Sequence, residues 1–499
     1  MKVFLMYQNH DFDLKQELPP SEKALTQDLE LNTLFQAMSQ GDGFLSQVAK
    51  EAILTSLNDS NTILYRQNIL KDCLKYASII RDIYDIAVQS LESKKGHYWG
   101  VFSHSPDSIL YGSVEIMQIL ADMLKKIKDI ADKHADQFES VGFKSFFAMI
   151  REELNDEYFA SIQQHLKDLK FRNGVIISAE LTDGNKGMNY VLRKSSEQTQ
   201  NWMKRIFSQK APEYSFFIAE RDESGMRALS EIRDRGINLV ANALAQSTDH
   251  IISFFNMLRT ELAFYVGCLN LSEQLTQMGG PMTFPIPENS GERRHSFKGL
   301  YDVCLALTMK QKVVGNDIDA DHKNIVIVTG ANQGGKSTFL RSVGLSQLMM
   351  QCGMFVPAES FCSNICEGIF THYRREEDSA MNSGKLDEEL GRMSTIVDNL
   401  SPNSMVLFNE SFAATNEREG SEIARQIICA LLEKQIKVVF VTHLYEFAHS
   451  FFAMDLGNAI FLRAERQTDG NRTFRLTEGE PLRTSYGEDL YSKIFKEMI

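Results

Sequence analysis

The chain has no surplus of positive charge. Its 53 Lys and Arg stand against 66 Asp and Glu, a formal net charge of -13, which argues against a protein that coats nucleic acid or anionic lipid non-specifically while leaving room for a local basic face. It contains no run of about 18 apolar residues. No basic-then-apolar leader is seen, because Met1 to Gln8 is too short and gives way to the charged "HDFDLKQE". No membrane contact is expected, and a cytoplasmic location is. With only 10 prolines, collagenous and proline-rich disordered architectures are excluded. Trp99 and Trp202 are the only tryptophans; they could stack on bases, but read as packing residues. The cysteines (Cys73, Cys268, Cys304, Cys352, Cys362, Cys366, Cys429) are odd in number and scattered among apolar neighbours, which predicts reduced, buried thiols. Cys362 and Cys366 have a loose metal-like spacing, but no His or Cys pair follows at a zinc-finger distance, so zinc is not expected.

What remains is an ordinary helix-rich globular composition, 43% hydrophobic and 24% charged over 499 residues. Single cores rarely grow past roughly 250–300 residues, so at least two domains are expected. From about Asp28 to Leu91, and again from Ser108 to Phe138, apolar residues recur at three- and four-residue spacing, the period of an amphipathic helix. Asp59 or Ser60 is placed to cap one of these helices. The period changes at "GVIISAELTDGNKGMNYVLRK", where Val175–Leu181 and Met188–Lys194 flank a Gly- and Asn-rich turn, the pattern of a hairpin at about 175–194. Helical periodicity then resumes from "SGMRALSEI" to "LSEQL", a length that, even allowing for a break near Gly236, suggests long antiparallel helices acting as an arm or lever. Prolines and glycines gather in "MGGPMTFPIPENSGERRHS", which sets a boundary between domains at 1-280 and 281-499.

Beyond that boundary, short β-branched runs alternate with helical patterns: "NIVIVTG", "SMVLFNE" and "KVVFVTH", each followed by a helix. Such alternation predicts a parallel sheet flanked by helices. "GANQGGKST" fits G-x-x-x-x-G-K-[ST] and sits between a buried strand and a helix, so its backbone N–H groups and the helix N-terminus converge on a phosphate chain. The loop runs Gly330, Ala331, Asn332, Gln333, Gly334, Gly335, Lys336, Ser337, Thr338. Its glycines allow close backbone approach, Lys336 offers a cation to the outer phosphates and Ser337 a hydroxyl to magnesium. The second strand ends in Asn409 and Glu410. An acid at the first of these positions commonly holds the magnesium shell, and one at the second activates water. Glu410 is therefore the expected general base. Asn409 retains an amide oxygen that can accept from Ser337 or from magnesium-bound water, but lacks the charge. The third strand ends in Thr442 and His443, and His443 is expected to sense the γ-phosphate.

These segments together resemble the MutS family of ABC-type ATPases. The similarity is carried by "TGANQGGKSTFLRSVGLSQLMMQCGMFVPA", by "THLYEFA", by "GEPLRTSYGEDLYSKI" and, more weakly, by "DLELNTLFQAMSQGDGFLSQVAKEAILTSLNDSNTILYRQNIL". It implies a multidomain fold: an N-terminal all-α core/lever domain with an inserted β-hairpin, then an α/β ABC-type P-loop ATPase domain. It further implies ATP and Mg2+ as cofactors, a homodimer with sites completed in trans, and levers that pass ATP state to a DNA clamp. Val313 stands where the family packs a side chain on adenine. The departures are as informative. The family's mismatch-reading and connector domains are expected to be missing, as are a nuclease-like tail and the C-terminal dimerising helices. Asn409 replaces an aspartate, Phe412 and Ala414 replace glycines while Thr415 and Gly420 are kept, and Leu386 and Asp387 stand where a Ser-Thr pair reaches the partner's phosphate.

The expected function is a slow ATPase that couples ATP state to clamping of duplex or branched DNA in repair or recombination. Lys186, Arg193 and Lys194 of the hairpin are the candidate phosphate contacts, unless the hairpin only braces the levers. The alternative is an ATP-gated clamp on a non-DNA partner: structured RNA, the ribosome or a protein. A regulatory nucleotide binder without useful hydrolysis is a third reading, against which Glu410 argues.

Overall fold

A computed structural model describes residues 1–98, 105–171, 174–184, 186–193, 214–375, 384–467 and 472–482. Trp99, Trp202, Lys194 and everything from 483 onward lie outside the described residues. The chain divides into two compact units, one of residues 1–3, 81–137 and 144–259, the other of 4–80, 138–143 and 260–499. This division cuts across the sequence boundary at 280/281. Both units are helix-rich, and the second adds mixed α/β sheets. Among the described residues no helix is long and apolar enough to cross a membrane, and no cluster of three or more His, Cys, Asp or Glu could hold a metal ion. All the cysteines are free, and only Cys362 and Cys429 are partly exposed.

In the first unit, helix Pro106–His134 begins where the Ser105 hydroxyl caps the Ser108 N–H and Pro106 occupies the first turn. Such a start satisfies an orphan donor and fixes φ for the helix. Leu110, Val114, Met117, Leu120, Leu124 and Ile127 bury one stripe. The hairpin comprises β1 (Ile176–Leu181) and β2 (Gly187–Arg193), antiparallel with Ile176 opposite Arg193 and an irregularity between Ser178 and Glu180. Helix Glu223–Gln277 is continuous for 55 residues. The break allowed for near Gly236 does not occur: a Cβ there would lie 2.5 Å from the Ile177 side chain, so the glycine makes room for the hairpin without ending the helix.

The second unit is built on a six-stranded sheet. Its order is β12 (Arg472–Glu478), β11 (Ala459–Arg466), β6 (Ile325–Gly330), β10 (Lys437–Val441), β9 (Met405–Asn409), β8 (Ile369–Tyr373). All pairs are parallel except β11 with β12. Strands β6 and β10 are buried along their whole length, which is why they read as unbroken apolar runs: helices cover both faces of such a sheet. Helix Lys336–Gln351 packs so closely that a Cβ on Gly344 would sit 2.6 Å from Leu407. The core across β9 and β10 holds stacked Phe408 and Phe440, with centroids 5.0 Å apart, over Phe447 and Phe451 of helix Tyr445–Ala453. Each such buried ring contributes about 2–3 kcal/mol. A second sheet takes the order β3 (Ile286–Glu288), β7 (Ser360–Asn364), β4 (His295–Leu300), β5 (Asn316–Asp319).

The N-terminal segment is threaded through this unit. The Glu261 carboxylate, fully buried, accepts the N–H groups of Leu5 (2.6 Å), Met6 (3.2 Å) and Phe12 (2.9 Å). Tyr265 donates to the Leu5 carbonyl, Tyr65 to that of Phe4, and buried Arg66 to that of Met6. Burial outweighs these bonds and raises the Glu261 carboxyl to about 7.

Candidate functional site

The register of the parallel strands decides what meets. Val441 of β10 is level with Val328 of β6 and with Asn409 of β9, and Asn409 is level with Tyr373 of β8. The residues leaving these strands therefore share one carboxyl edge, the usual place for ligands in open α/β sheets. A cleft of about 870 Å³ lies there.

Leaving β6, the chain turns through Gly330 (φ +107°), Gln333 (φ +58°) and Gly335 (φ +88°), the residue preceding helix Lys336–Gln351. Gly330 cannot be replaced without strain, because a Cβ would meet the Ala464 nitrogen at 2.8 Å. Lys336 is buried, and its ammonium donates to the carbonyls of Gly330 (3.0 Å) and Ala331 (2.9 Å). Burial lowers its pKa, and the nearby Glu410 carboxylate opposes that shift. The Ser337 hydroxyl donates to the Asn409 amide oxygen at 3.0 Å.

Glu410, half-buried, leaves β9 with φ +53°, and its N–H is held by the Val441 carbonyl at 2.8 Å. Two residues on, Phe412 also has positive φ, +63°. Non-glycine residues in this region cost on the order of 1–3 kcal/mol each and persist where their surroundings over-determine them. Here the surroundings are visible. Buried His372 approaches the Ser411 hydroxyl with Nδ1 (2.7 Å) and the Glu389 carbonyl with Nε2 (2.9 Å), and its ring stacks on Phe412. Gly420 lies under the same turn, where a Cβ would be 2.3 Å from the Phe412 carbonyl oxygen. The turn that carries Phe412 is thus braced by side chains.

The cleft is lined by Val313, by Asn332 through Thr338, and by Glu410 and His443, so the sequence-predicted residues from several strands come together. Gly330, Ala331 and Asn409 stand immediately behind them. Leu386 and Asp387 occupy the first turn of helix Lys385–Asn399 and do not line it. Lys186 and Arg193 are exposed on the hairpin in the first unit, with Arg193 donating to Ser178 at 2.8 Å. Sequence reasoning missed Arg374, which follows β8 and lines the cleft, and Phe474 of β12, which faces Gly335 with φ +60°. It also missed Arg472, whose Nε donates to the Asn332 carbonyl at 3.3 Å. The β-rich "IFTHY", left unassigned from sequence, is the local signal that could have pointed towards Arg374.

A family model described as MutS2 N-terminal domain matches residues 58–278, and one described as MutS domain V matches residues 326–492. The chain belongs to the MutS family. Similar proteins include the DNA mismatch repair protein MutS of Syntrophomonas wolfei, 31% identical over 234 residues, 46% of this chain and 27% of that protein. The DNA mismatch repair protein MutS of Thermotoga sp. (strain RQ2) is 35% identical over 188 residues, 36% of this chain and 24% of its own length. MutS protein homolog 4 of Mus musculus is 28% identical over 197 residues, 38% of this chain and 21% of that protein. The matched stretch spans only about a quarter of the length of each of these relatives.

Proposed function

We propose that this chain binds and slowly hydrolyses ATP, and couples the nucleotide state to clamping of duplex or branched DNA in repair or recombination. The observation that carries the reading is the convergence of the Gly330–Thr338 loop, the Ser337–Asn409 pair, Glu410 and His443 on one carboxyl edge. In this reading residues 281-499 form an ABC-type P-loop ATPase domain and 1-280 a helical core/lever domain.

The loop N–H groups and the helix N-terminus receive the phosphates, and Lys336 exchanges its two loop carbonyls for the outer phosphate oxygens. Val313 and Phe474 supply apolar walls for the base. Ser337 and Asn409 offer hard, neutral oxygens 3.0 Å apart, a donor type that suits magnesium. They would hold the ion, Asn409 through water. When bound, magnesium supplies neutralisation of charge on the outer phosphates. Glu410 orients the attacking water and takes its proton. His443, exposed at the cleft, donates to the γ-phosphate or to that water. Because Asn409 lacks a charge, magnesium is held more weakly and turnover is slow.

Lys186, Arg193 and Lys194 are the phosphate contacts of the clamp, and the working form is a cytoplasmic homodimer. The test is magnesium-dependent ATP turnover of the purified protein, alone and with plain duplex, mismatched duplex, four-way junction, single strand and structured RNA. Stimulation by a DNA member supports the reading. The formal charge of -13 favours a second one, an ATP-gated clamp on RNA, the ribosome or a protein. Turnover that vanishes in Glu410→Gln yet ignores every DNA supports that second reading.

A further inference from the structure

We propose that Arg374 is a catalytic residue acting in cis: its guanidinium grips the terminal phosphate of ATP and supplies, from the neighbouring strand, positive charge at an edge where Asn409 recruits less magnesium. The inference rests on the nucleotide reading of the cleft.

Its placement follows from the sheet. Tyr373, the last residue of β8, is level with Asn409, and the next N–H, that of Arg374, donates to the Asn409 carbonyl at 2.9 Å. Arg374 therefore extends the carboxyl edge one residue past the strand. It lines the same cleft as Lys336, Ser337, Glu410 and His443. Its neighbours are committed elsewhere: Arg375 pairs with buried Asp28 at 2.8 Å, and Arg392 donates to the Tyr373 carbonyl at 2.9 Å. Arg374 is exposed, and among the described residues its guanidinium makes no hydrogen bond or ion pair. The carboxylate of Glu389 is within its electrostatic reach.

Charge decides what such a group is for. At the mouth of the loop the polar side chains include those of Asn332, Gln333, Ser337, Thr338, Glu410 and His443, with the Asn409 amide behind Ser337; Lys336 lies buried beneath, and the Arg472 Nε is turned to the Asn332 carbonyl. A triphosphate entering here meets the Glu410 carboxylate and, without an acid at 409, a weakened site for a dication. An arginine offers five N–H donors in a planar fork that fits phosphate oxygens in pairs, and it remains charged throughout. In the reaction the water oxygen bonds to the γ-phosphorus and its proton passes to Glu410. The bond from that phosphorus to the bridging oxygen breaks, and the electron pair leaves with ADP. Charge that shifts onto the transferred group's outer oxygens is what Arg374 stabilises, the role of an arginine finger. Lys312, the other exposed cation lining the cleft, is the sequence neighbour of Val313, which the nucleotide reading assigns to the base.

The experiment measures binding of fluorescent ADP and of a non-hydrolysable ATP analogue, with magnesium and with chelator, together with single-turnover hydrolysis. It uses the full chain and its Arg374→Ala and Arg374→Lys variants. In Arg374→Ala, ADP affinity should change by less than about 2-fold, while preference for the ATP analogue falls at least ~10-fold, with and without magnesium, and hydrolysis falls ~10²–10³-fold. Arg374→Lys should recover part of the binding preference and little of the rate. If the alanine variant keeps both the preference and the rate, the proposal is overturned. It is equally overturned if ADP and ATP analogue weaken together with a lowered Tm, since that marks a brace to Glu389. Failure of the unsubstituted protein to bind either nucleotide is a different result, and removes the nucleotide reading itself.

Discussion

The imidazole of His372 and the hydroxyl of Ser411 meet at 2.7 Å in the buried layer directly behind Glu410. The Glu389 carbonyl can only accept, so the neutral ring carries its proton on Nε2, and Nδ1 faces Ser411 as an acceptor. The serine shares its single proton between Nδ1 and the His372 carbonyl oxygen, 2.5 Å away. Burial, reinforced by Arg392 and Arg375, pushes the His372 pKa down to about 4. The unfolded chain therefore takes up this proton near pH 6.5, and the folded chain only near pH 4. Stability from this group is complete above pH 6.5 and is lost as pH falls towards 4, by about 3 kcal/mol in all. Between pH 7 and pH 5 about 2 kcal/mol of that is lost, so urea unfolding of His372→Leu at these two pH values should show about 2 kcal/mol less acid destabilisation than the parent protein, whatever the variant's own baseline.

Asn409→Asp should place a carboxylate against Ser337, where an amide oxygen now accepts at 3.0 Å. A unit charge near a dication is worth a few kcal/mol at an effective dielectric of about 20, partly offset by desolvation. We expect the magnesium concentration for half-maximal ATP turnover to fall at least ~10-fold. An unchanged magnesium titration would remove Asn409 from the metal's surroundings.

Gly420→Ala tests the turn from the other side. The added methyl would meet the Phe412 carbonyl oxygen at 2.3 Å, and that oxygen belongs to backbone that cannot rotate aside. Overpacking of this kind costs about 1–3 kcal/mol. Turnover should fall more than stability, because the displaced turn carries Glu410; the readouts are Tm and single-turnover rate on one preparation.

Glu261→Ala would leave the N–H groups of Leu5, Met6 and Phe12 without their acceptor. Each buried orphan costs about 1–3 kcal/mol, so a loss of at least about 3 kcal/mol is expected in denaturant unfolding. Amide exchange at residues 5, 6 and 12 should accelerate alongside. Protection unchanged at these amides would show that another group holds the segment.

Much of the cleft was legible because its signals are local. A glycine-rich loop between an apolar run and a helix, and strands whose last residues are Asn409 and Val441, can be read within short windows. The edge-forming pairs could not be read that way. His295 lies opposite Ser363, and Ile286 beside Cys362, so the second sheet joins short strands whose patterns carry no hint of their partners. Arg374 was hidden for the same reason: its position depends on β8 standing in register with β9. A break near Gly236 had to be allowed for because glycine weakens helices on average, whereas here contact with Ile177 sets the residue. The grouping of residues 4–80 with the second half follows from contacts such as Leu5 with Glu261, which leave no trace in either stretch alone.

That last pairing also constrains how the chain can be made. A ribosome adds about 5–20 residues per second, and domains fold as their residues emerge. Leu5, Met6 and Phe12 must therefore wait on the order of tens of seconds for the carboxylate at position 261. Until then Tyr65 and Arg66 can reach the carbonyls of Phe4 and Met6, but the N–H groups of Leu5, Met6 and Phe12 lack their acceptor, in a segment whose Val3, Leu5, Met6 and Phe12 are all buried in the finished fold. The window in which chaperones can bind it is set by the distance along the message between two codons.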